Sequence, residues 1–107
     1  MTNWIVCLTR NNLELTKRAV ASFRAQDIEG GVSVLVIDNE SSDATIHWLK
    51  GQQDIAVVHN RPARSVAASW NMALRWLFQA RWADGNTPLE PRAEWVLVAN
   101  NDVVLRK

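Results

Sequence analysis

The sequence predicts an α/β fold: a mostly parallel, Rossmann-like sheet in a three-layer α/β/α arrangement. Three observations carry that expectation. Four short apolar runs, residues 4–8, 32–37, 55–58 and 95–99, read as strands buried on both faces. A stretch with helical apolar spacing follows each of the first three, so strands and helices alternate along the chain. Each run also ends in a cluster of polar residues. Strands separated by helices are joined by right-handed crossovers, which places all four polar ends on one edge of the sheet.

The elements follow in order. Trp4-Ile5-Val6-Cys7-Leu8 is the first strand, and Thr9-Arg10-Asn11-Asn12 is a polar turn whose Asn11 or Asn12 can cap a helix. That helix runs from Leu13 to about Gln26, with Leu13, Thr16, Ala19, Val20 and Phe23 on one face and Gly30-Gly31 closing the unit. Residues 32–37 form the second strand, ending on Asp38-Asn39-Glu40-Ser41-Ser42-Asp43. Ser42 or Asp43 can cap a short helix over residues 44–50, buried through Ile46 and Leu49 and ended by Gly51. Residues 55–58 form the third strand, ending at His59-Asn60. Pro62 disfavours helix at Arg61, and Ser65 caps an amphipathic helix reaching about Arg81. Residues 83–92 hold Gly85, Asn86, Pro88 and Pro91 and read as an irregular loop. The fourth strand, Trp95-Val96-Leu97-Val98-Ala99, delivers Asn100-Asn101-Asp102, and residues 103–105 can begin a further strand.

Composition narrows the possibilities. A chain of 107 residues, 48% hydrophobic and 21% charged, suits one soluble globular domain over residues 1–107. A net charge of +1 gives no basic footprint for nucleic acid. Cys7 is the one cysteine, so it forms no intramolecular disulfide and no thiolate metal cluster; it reads as a core residue, compatible with a reducing, cytoplasmic setting. No apolar run approaches a membrane span of about 18 residues, and the start lacks a signal-peptide pattern.

Four clusters converge at the strand ends: Thr9 to Asn12, Asp38-Asn39, His59-Asn60 with Arg64-Ser65, and Asn100-Asn101-Asp102. Any one of them is an ordinary polar strand-to-helix loop. Together, with an acid ending two of the strands, they mark a ligand site, because ligands of open α/β sheets bind at the carboxyl ends of the strands. Neither glycine-rich phosphate loop is present. A bound diphosphate must therefore be met by a cation or by arginine. Asp102 is a hard oxygen ligand suited to Mg²⁺ or Mn²⁺, and Arg64 can meet phosphate with its guanidinium fork. Trp4, Trp70 and Trp95 read as core or edge packing, and Trp48, Trp76 and Trp82 stay open between packing and surface. Asn71 shares a helical face with Ala67, Leu74 and Phe78 that is expected to point inward, where its amide either ties down a loop or touches ligand. His47 and His59 lack metal-ligand spacing and receive no role.

At these residues the chain resembles the N-terminal, nucleotide-sugar-binding half of family 2 glycosyltransferases, which have the glycosyltransferase A-type fold. The resemblance spans essentially the whole chain. It rests on residues 5–12, on Asp38-Asn39-Glu40-Ser41-Ser42-Asp43-Ala44-Thr45, which is similar to the family's D-[DN]-x-S-x-D-x-T turn, and on the helix around Asn71. Asn100-Asn101-Asp102-Val103 resembles the N-x-D-V form of the D-x-D motif in rhamnosyltransferase-like members. The resemblance implies an inverting transfer of sugar from a UDP- or dTDP-sugar to a hydroxyl. It implies that Thr9 and Asn11 lie against the base, and that Asp38 accepts from the uracil or thymine N3–H. It also implies that Asn101 lies near the ribose and that Asp102 binds the divalent cation on the diphosphate.

The chain departs from the family pattern in two ways. Asn100 replaces the first acid of D-x-D, and Ser65, beside Arg64, stands where relatives carry Gly or Arg. The family's C-terminal half, with its catalytic base and acceptor site, has no counterpart after Asp102, so the chain reads as truncated and is expected to transfer little or no sugar alone. The alternative is a non-catalytic nucleotide-binding or self-assembling module, a homo-oligomer joined through an exposed sheet edge. An unrelated three-layer α/β regulator would need a chemically isolated Asp38, which the Ser41 to Thr45 continuation disfavours.

Overall fold

A computed structural model describes residues 2–78, 81–82, 88–89, 93–102 and 105 of the chain. Its elements are β1 (Thr2–Thr9), α1 (Leu13–Arg24), β2 (Val32–Asn39), α2 (Thr45–Lys50), β3 (Ile55–Asn60), α3 (Val66–Phe78), β4 (Arg81–Trp82), β5 (Pro88–Leu89) and β6 (Ala93–Asn100). The main sheet has the order β3-β2-β1-β6, and every pairing is parallel. The four predicted strands are therefore neighbours, and their carboxyl ends share one edge.

Two helices cover one face of the sheet and one covers the other. Ile5, Cys7, Val34, Val36 and Ala99 pack with Ala19, Val20 and Phe23 of α1 and Leu49 of α2. The alternate residues Val6, Leu8, Leu35 and Ile37 pack with Ala73 and Leu77 of α3. This split follows from the two-residue period of a strand, and it produces the three layers. Full burial of each large side chain stabilises the fold by about 1.5–3 kcal/mol. Burial also raises the Cys7 thiol from its ordinary value of 9.0 to about 12, with the negative charge of Asp102 adding to the effect. Cys7 is therefore expected to resist a thiol reagent at pH 8 in the folded chain and to react at once in denaturant, as absorbance of the released label would report.

The helix ends conform to the capping expectations with one refinement. The Asn12 side chain accepts from the Leu15 N–H at 3.4 Å and Ser65 Oγ from the Ala68 N–H at 3.1 Å. At α2, Asp43 accepts from the Thr45 N–H at 2.9 Å, while Ala44 occupies the cap position itself. Ser65→Ala is expected to cost about 1 kcal/mol in urea unfolding, the usual penalty for an emptied cap.

Two expectations are corrected. The segment read as a loop over residues 83–92 contains β5, which pairs antiparallel with β4 through Trp82 opposite Pro88 and Arg81 opposite Leu89. A pairing of two residues per strand is too short to leave a periodic signal. The remainder of that loop and the strand proposed at Val103 and Val104 lie outside the described residues. The second correction concerns the face of α3. Ser69, Ala73 and Leu77 are buried, whereas Ala67, Asn71 and Phe78 are exposed. The small side chains at 69 and 73 let the helix sit close to the sheet. With apolar residues on several sides of α3, periodicity alone did not decide which face packs. Among the tryptophans, Trp4 and Trp76 meet edge to face at 5.4 Å, and Trp48 and Trp70 pack against the two cores. Trp95 is exposed on β6.

Candidate functional site

The parallel register sorts the strand-end residues before any contact is considered. Thr9 pairs with Asp38, and Asp38 with His59, so all three side chains emerge on the α1 side. Asn39 pairs with Asn60, and Leu8 with Asn100, on the α3 side. Each polar cluster is thereby divided between two networks with different tasks.

On the α1 side Asp38 is completely buried. One carboxylate oxygen accepts from the Ser41 hydroxyl, and the other accepts from the Ser41 N–H at 3.3 Å and from His59 Nδ1 at 2.7 Å. The Arg61 Nε–H donates to His59 Nε2 at 2.6 Å. A guanidinium can only donate, so Nε2 accepts and the Nδ1 proton goes to Asp38. Ser41 Oγ in turn accepts from the Asn11 N–H at 2.8 Å. Asn11 and Asn12 have φ of 59° and 57°, a left-handed conformation asparagine tolerates. This curls the loop so that Asn11 Oδ1 accepts from the N–H groups of Ser42 and Asp43 at 2.6 and 3.2 Å. Hydrogen bonding by Thr45 holds the Asp43 carboxyl below its ordinary range. Asp38 and Asn11 are thus committed to shaping the turns after β2 and β1. Asp38, engaged by Ser41 and His59, is not among the residues that line the sheet-edge cleft. Its burial also removes the isolated-acid regulator reading. Because Asp38 stands between Ser41 and His59, no base reaches the serine, and the trio is not a hydrolase triad.

On the α3 side the Asn39 amide behaves like a strand of backbone. Its Nδ2 donates to the Arg64 carbonyl at 2.8 Å, and its Oδ1 accepts from the Arg64 N–H at 2.9 Å. Asn60 Nδ2 donates to Asn39 Oδ1 and to Ser69 Oγ, at 3.2 and 3.3 Å. These buried amides pin the main chain of Arg64 while its side chain stays exposed.

Between the two networks lies an open cleft of about 670 Å³ at the sheet edge. Of the residues expected in the site, Thr9, Asn39, Arg64, Asn100, Asn101 and Asp102 line it, and Asn11 and Asp38 stand behind it. Arg10, Asn12 and Ser65 of the predicted clusters line it too, and Leu8, Leu15 and Val66 were not foreseen. His59 and Asn60, placed at the site by the sequence with no individual role, carry the supporting network. Equal offsets of His59 and Asp38 from their apolar runs could have paired those two. Asn71 is exposed on α3 and is not part of this lining, although it shares an adjoining hollow of about 390 Å³ with Arg64. A larger hollow of about 720 Å³ borders Asn71, Leu74, Arg75 and Phe78, but no carboxylate or strand end enters it among the described residues.

Asp102 is exposed and is the one carboxylate on the cleft among the described residues. No group of three His, Cys, Asp or Glu side chains able to hold a metal occurs among them. A single free carboxylate with open space beside it fits Mg²⁺ or Mn²⁺, which commonly take one or two protein carboxylates and fill the rest of the shell with phosphate and water.

The fold defines an α/β domain of the glycosyltransferase A type. Over 95% of its length the chain superposes on the S. aureus TarS 1–349 crystal structure, with a TM-score of 0.68 and 20% identity. Over 98% it superposes on the mannosyltransferase PcManGT from Pyrobaculum calidifontis, solved in complex with GDP-Man and Mn²⁺, with a TM-score of 0.68 and 22% identity. The chain spans 28% of the length of each. It belongs to glycosyl transferase family 2, whose profile matches residues 4–105. No curated protein sequence matches the chain. Among the described residues, no helix is long and apolar enough to cross a membrane.

Proposed function

We propose that this chain is the donor-binding part of an inverting glycosyltransferase that moves a sugar from a nucleoside diphosphate, UDP or dTDP, to a hydroxyl acceptor. The observation that carries the reading is the convergence of Asp102, Arg64, Asn100 and Asn101 on one cleft at the carboxyl ends of parallel strands. Asp102 would hold Mg²⁺ or Mn²⁺, with Arg64 placed to meet a phosphate. Bound there, the cation would offset charge on the departing diphosphate. Inversion needs a carboxylate base for the acceptor hydroxyl. Asp102, the one cleft carboxylate described, is assigned to the cation, so the 107 residues are expected to bind donor without transferring sugar.

With the Asp38, Asn39 and Thr9 side chains engaged within the protein, the exposed Arg10 on the cleft is placed to take part in selection among bases. Calorimetry with UDP, dTDP and GDP, each with and without Mn²⁺, tests the reading. Mn²⁺-dependent binding of UDP or dTDP is expected. Absence of binding to all three nucleotides would overturn the donor-site assignment, and a preference for GDP would overturn the choice of base.

One observation favours a second reading. Among the described residues β6 is paired on one side only, by β1, and its Trp95, Leu97 and Val98 are 40%, 40% and 45% exposed. An unpaired apolar strand edge invites another chain, which makes the domain a self-assembling module. Sedimentation at high concentration would give a clean monomer if this second reading is wrong.

A further inference from the structure

The residue that joins the two halves of the cleft is one to which no role has been given. Thr16 lies in the first turn of α1 and is completely buried. Its Oγ1 lies 3.2 Å from the Asn12 carbonyl, 2.7 Å from Thr9 Oγ1 and 3.4 Å from Asn101 Nδ2. The chemistry of these partners fixes every proton. A carbonyl can only accept, so the single Thr16 hydroxyl proton goes to Asn12. Thr9 must then donate to Thr16, and the Asn101 amide nitrogen, a donor only, does the same. One hydroxyl thereby uses its one proton and both of its lone pairs. The second Asn101 amide proton goes to the Asn11 carbonyl at 3.3 Å.

Thr9 ends β1, and Asn101 precedes Asp102 in the turn that leaves β6. The sequence separates Thr16 from Asn101 by 85 positions, so this bond is a tertiary crosslink rather than a local cap. Turning the Asn101 nitrogen inward also orients its amide: both N–H groups are used, and its Oδ1 is the group left to face the cleft that Asn101 lines.

We propose that Thr16 is a positioning residue for the donor site. Its buried hydroxyl locks the Asn101-Asp102 turn against the loop after β1, so that the Asp102 carboxylate and the Asn101 carbonyl are presented together. This rests on the reading of the cleft as a donor site. An apolar residue of the same shape would pack at position 16 and hold the helix, but would leave the Thr9 hydroxyl and one Asn101 N–H without an acceptor. Deleting such an acceptor costs roughly a tenfold population change per bond.

The test compares the whole chain with Thr16→Val and Thr16→Ser by two measurements. In the first, NMR follows hydrogen exchange of the Asn101 side-chain amide. Thr16→Val is expected to speed it about tenfold, with amides of β2 unchanged, and Thr16→Ser is expected to return it to the wild-type rate. In the second, calorimetry follows Mn²⁺-dependent UDP binding, which is expected to weaken about tenfold in Thr16→Val and recover in Thr16→Ser. Loss of β2 protection in Thr16→Val would signal general unfolding, and Thr16→Ser then decides: wild-type exchange and binding support the hydroxyl, while loss of both despite an intact fold overturns it. Equal Asn101 exchange in wild type and Thr16→Val overturns the crosslink whatever binds. Faster exchange with unchanged UDP affinity overturns the positioning role. A wild-type chain that binds no nucleotide, with faster exchange in Thr16→Val, overturns the donor-site reading and leaves the crosslink standing.

Discussion

Asp38→Ala is expected to lower the melting temperature by about 12–24 °C, from a loss of roughly 3 kcal/mol at about 4–8 °C per kcal/mol in a domain of this size. The carboxylate takes hydrogen bonds from the Ser41 N–H, the Ser41 hydroxyl and His59 Nδ1 inside a fully buried site. Removing it strands several donors at once, and each orphaned buried donor costs about 1–3 kcal/mol. Part of the loss is recovered as Ser41 relaxes toward solvent, which is why the expected total stays near the low end. Asp38→Asn keeps one oxygen acceptor and should lie between alanine and wild type. Thermal melting followed by circular dichroism, without nucleotide, makes the measurement. An unchanged melting temperature combined with lost UDP binding would instead favour the base-reading role that the family resemblance implies for Asp38.

Asp102→Ala is expected to do the opposite. The side chain is exposed at the cleft, so stability should stay within about 0.5 kcal/mol of wild type. Mn²⁺-dependent UDP affinity should fall by at least about 100-fold, because even residues that merely support metal ligands cost 10–100-fold when removed. Affinity measured without Mn²⁺ should hold or rise slightly, since the substitution removes a carboxylate that repels phosphate. Calorimetry in the presence and absence of Mn²⁺ separates the two terms. Equal loss in both conditions would assign Asp102 to direct nucleotide contact rather than to the cation. Taken as a pair, the two substitutions separate an acid that builds the site from an acid that serves it.

The sequence by itself determined the four strands of the main sheet, their parallel orientation and the edge on which the polar clusters meet. The physical reason is that burial leaves a linear record. Runs such as residues 34–37 and helical spacing such as Thr16, Ala19, Val20 and Phe23 are patterns of hydrophobicity along the chain, and the structure buries those residues. Caps are equally local, as Asn12 and Ser65 demonstrate. The sequence also led to the family, because the Asp38 to Thr45 turn is a short contiguous pattern.

Only the tertiary structure decided which polar side chain faces the cleft and which is used up behind it. Asp38 and Asp102 are both acids at strand ends, and composition does not distinguish them. The pleat and the register do, by setting Asp38 beside His59 and above Ser41, while Asp102 falls in a turn beyond the last paired residue of β6. The same holds for the asparagines. Asn11, Asn39 and Asn101 look alike as ligand-binding residues. Asn11 caps the turn after β2, Asn39 holds the Arg64 backbone, and Asn101 reaches Thr16 across 85 positions. Hydrogen-bond partners distant in sequence leave no periodic trace, so the orientation of an amide or a carboxylate is settled only when the strands are side by side.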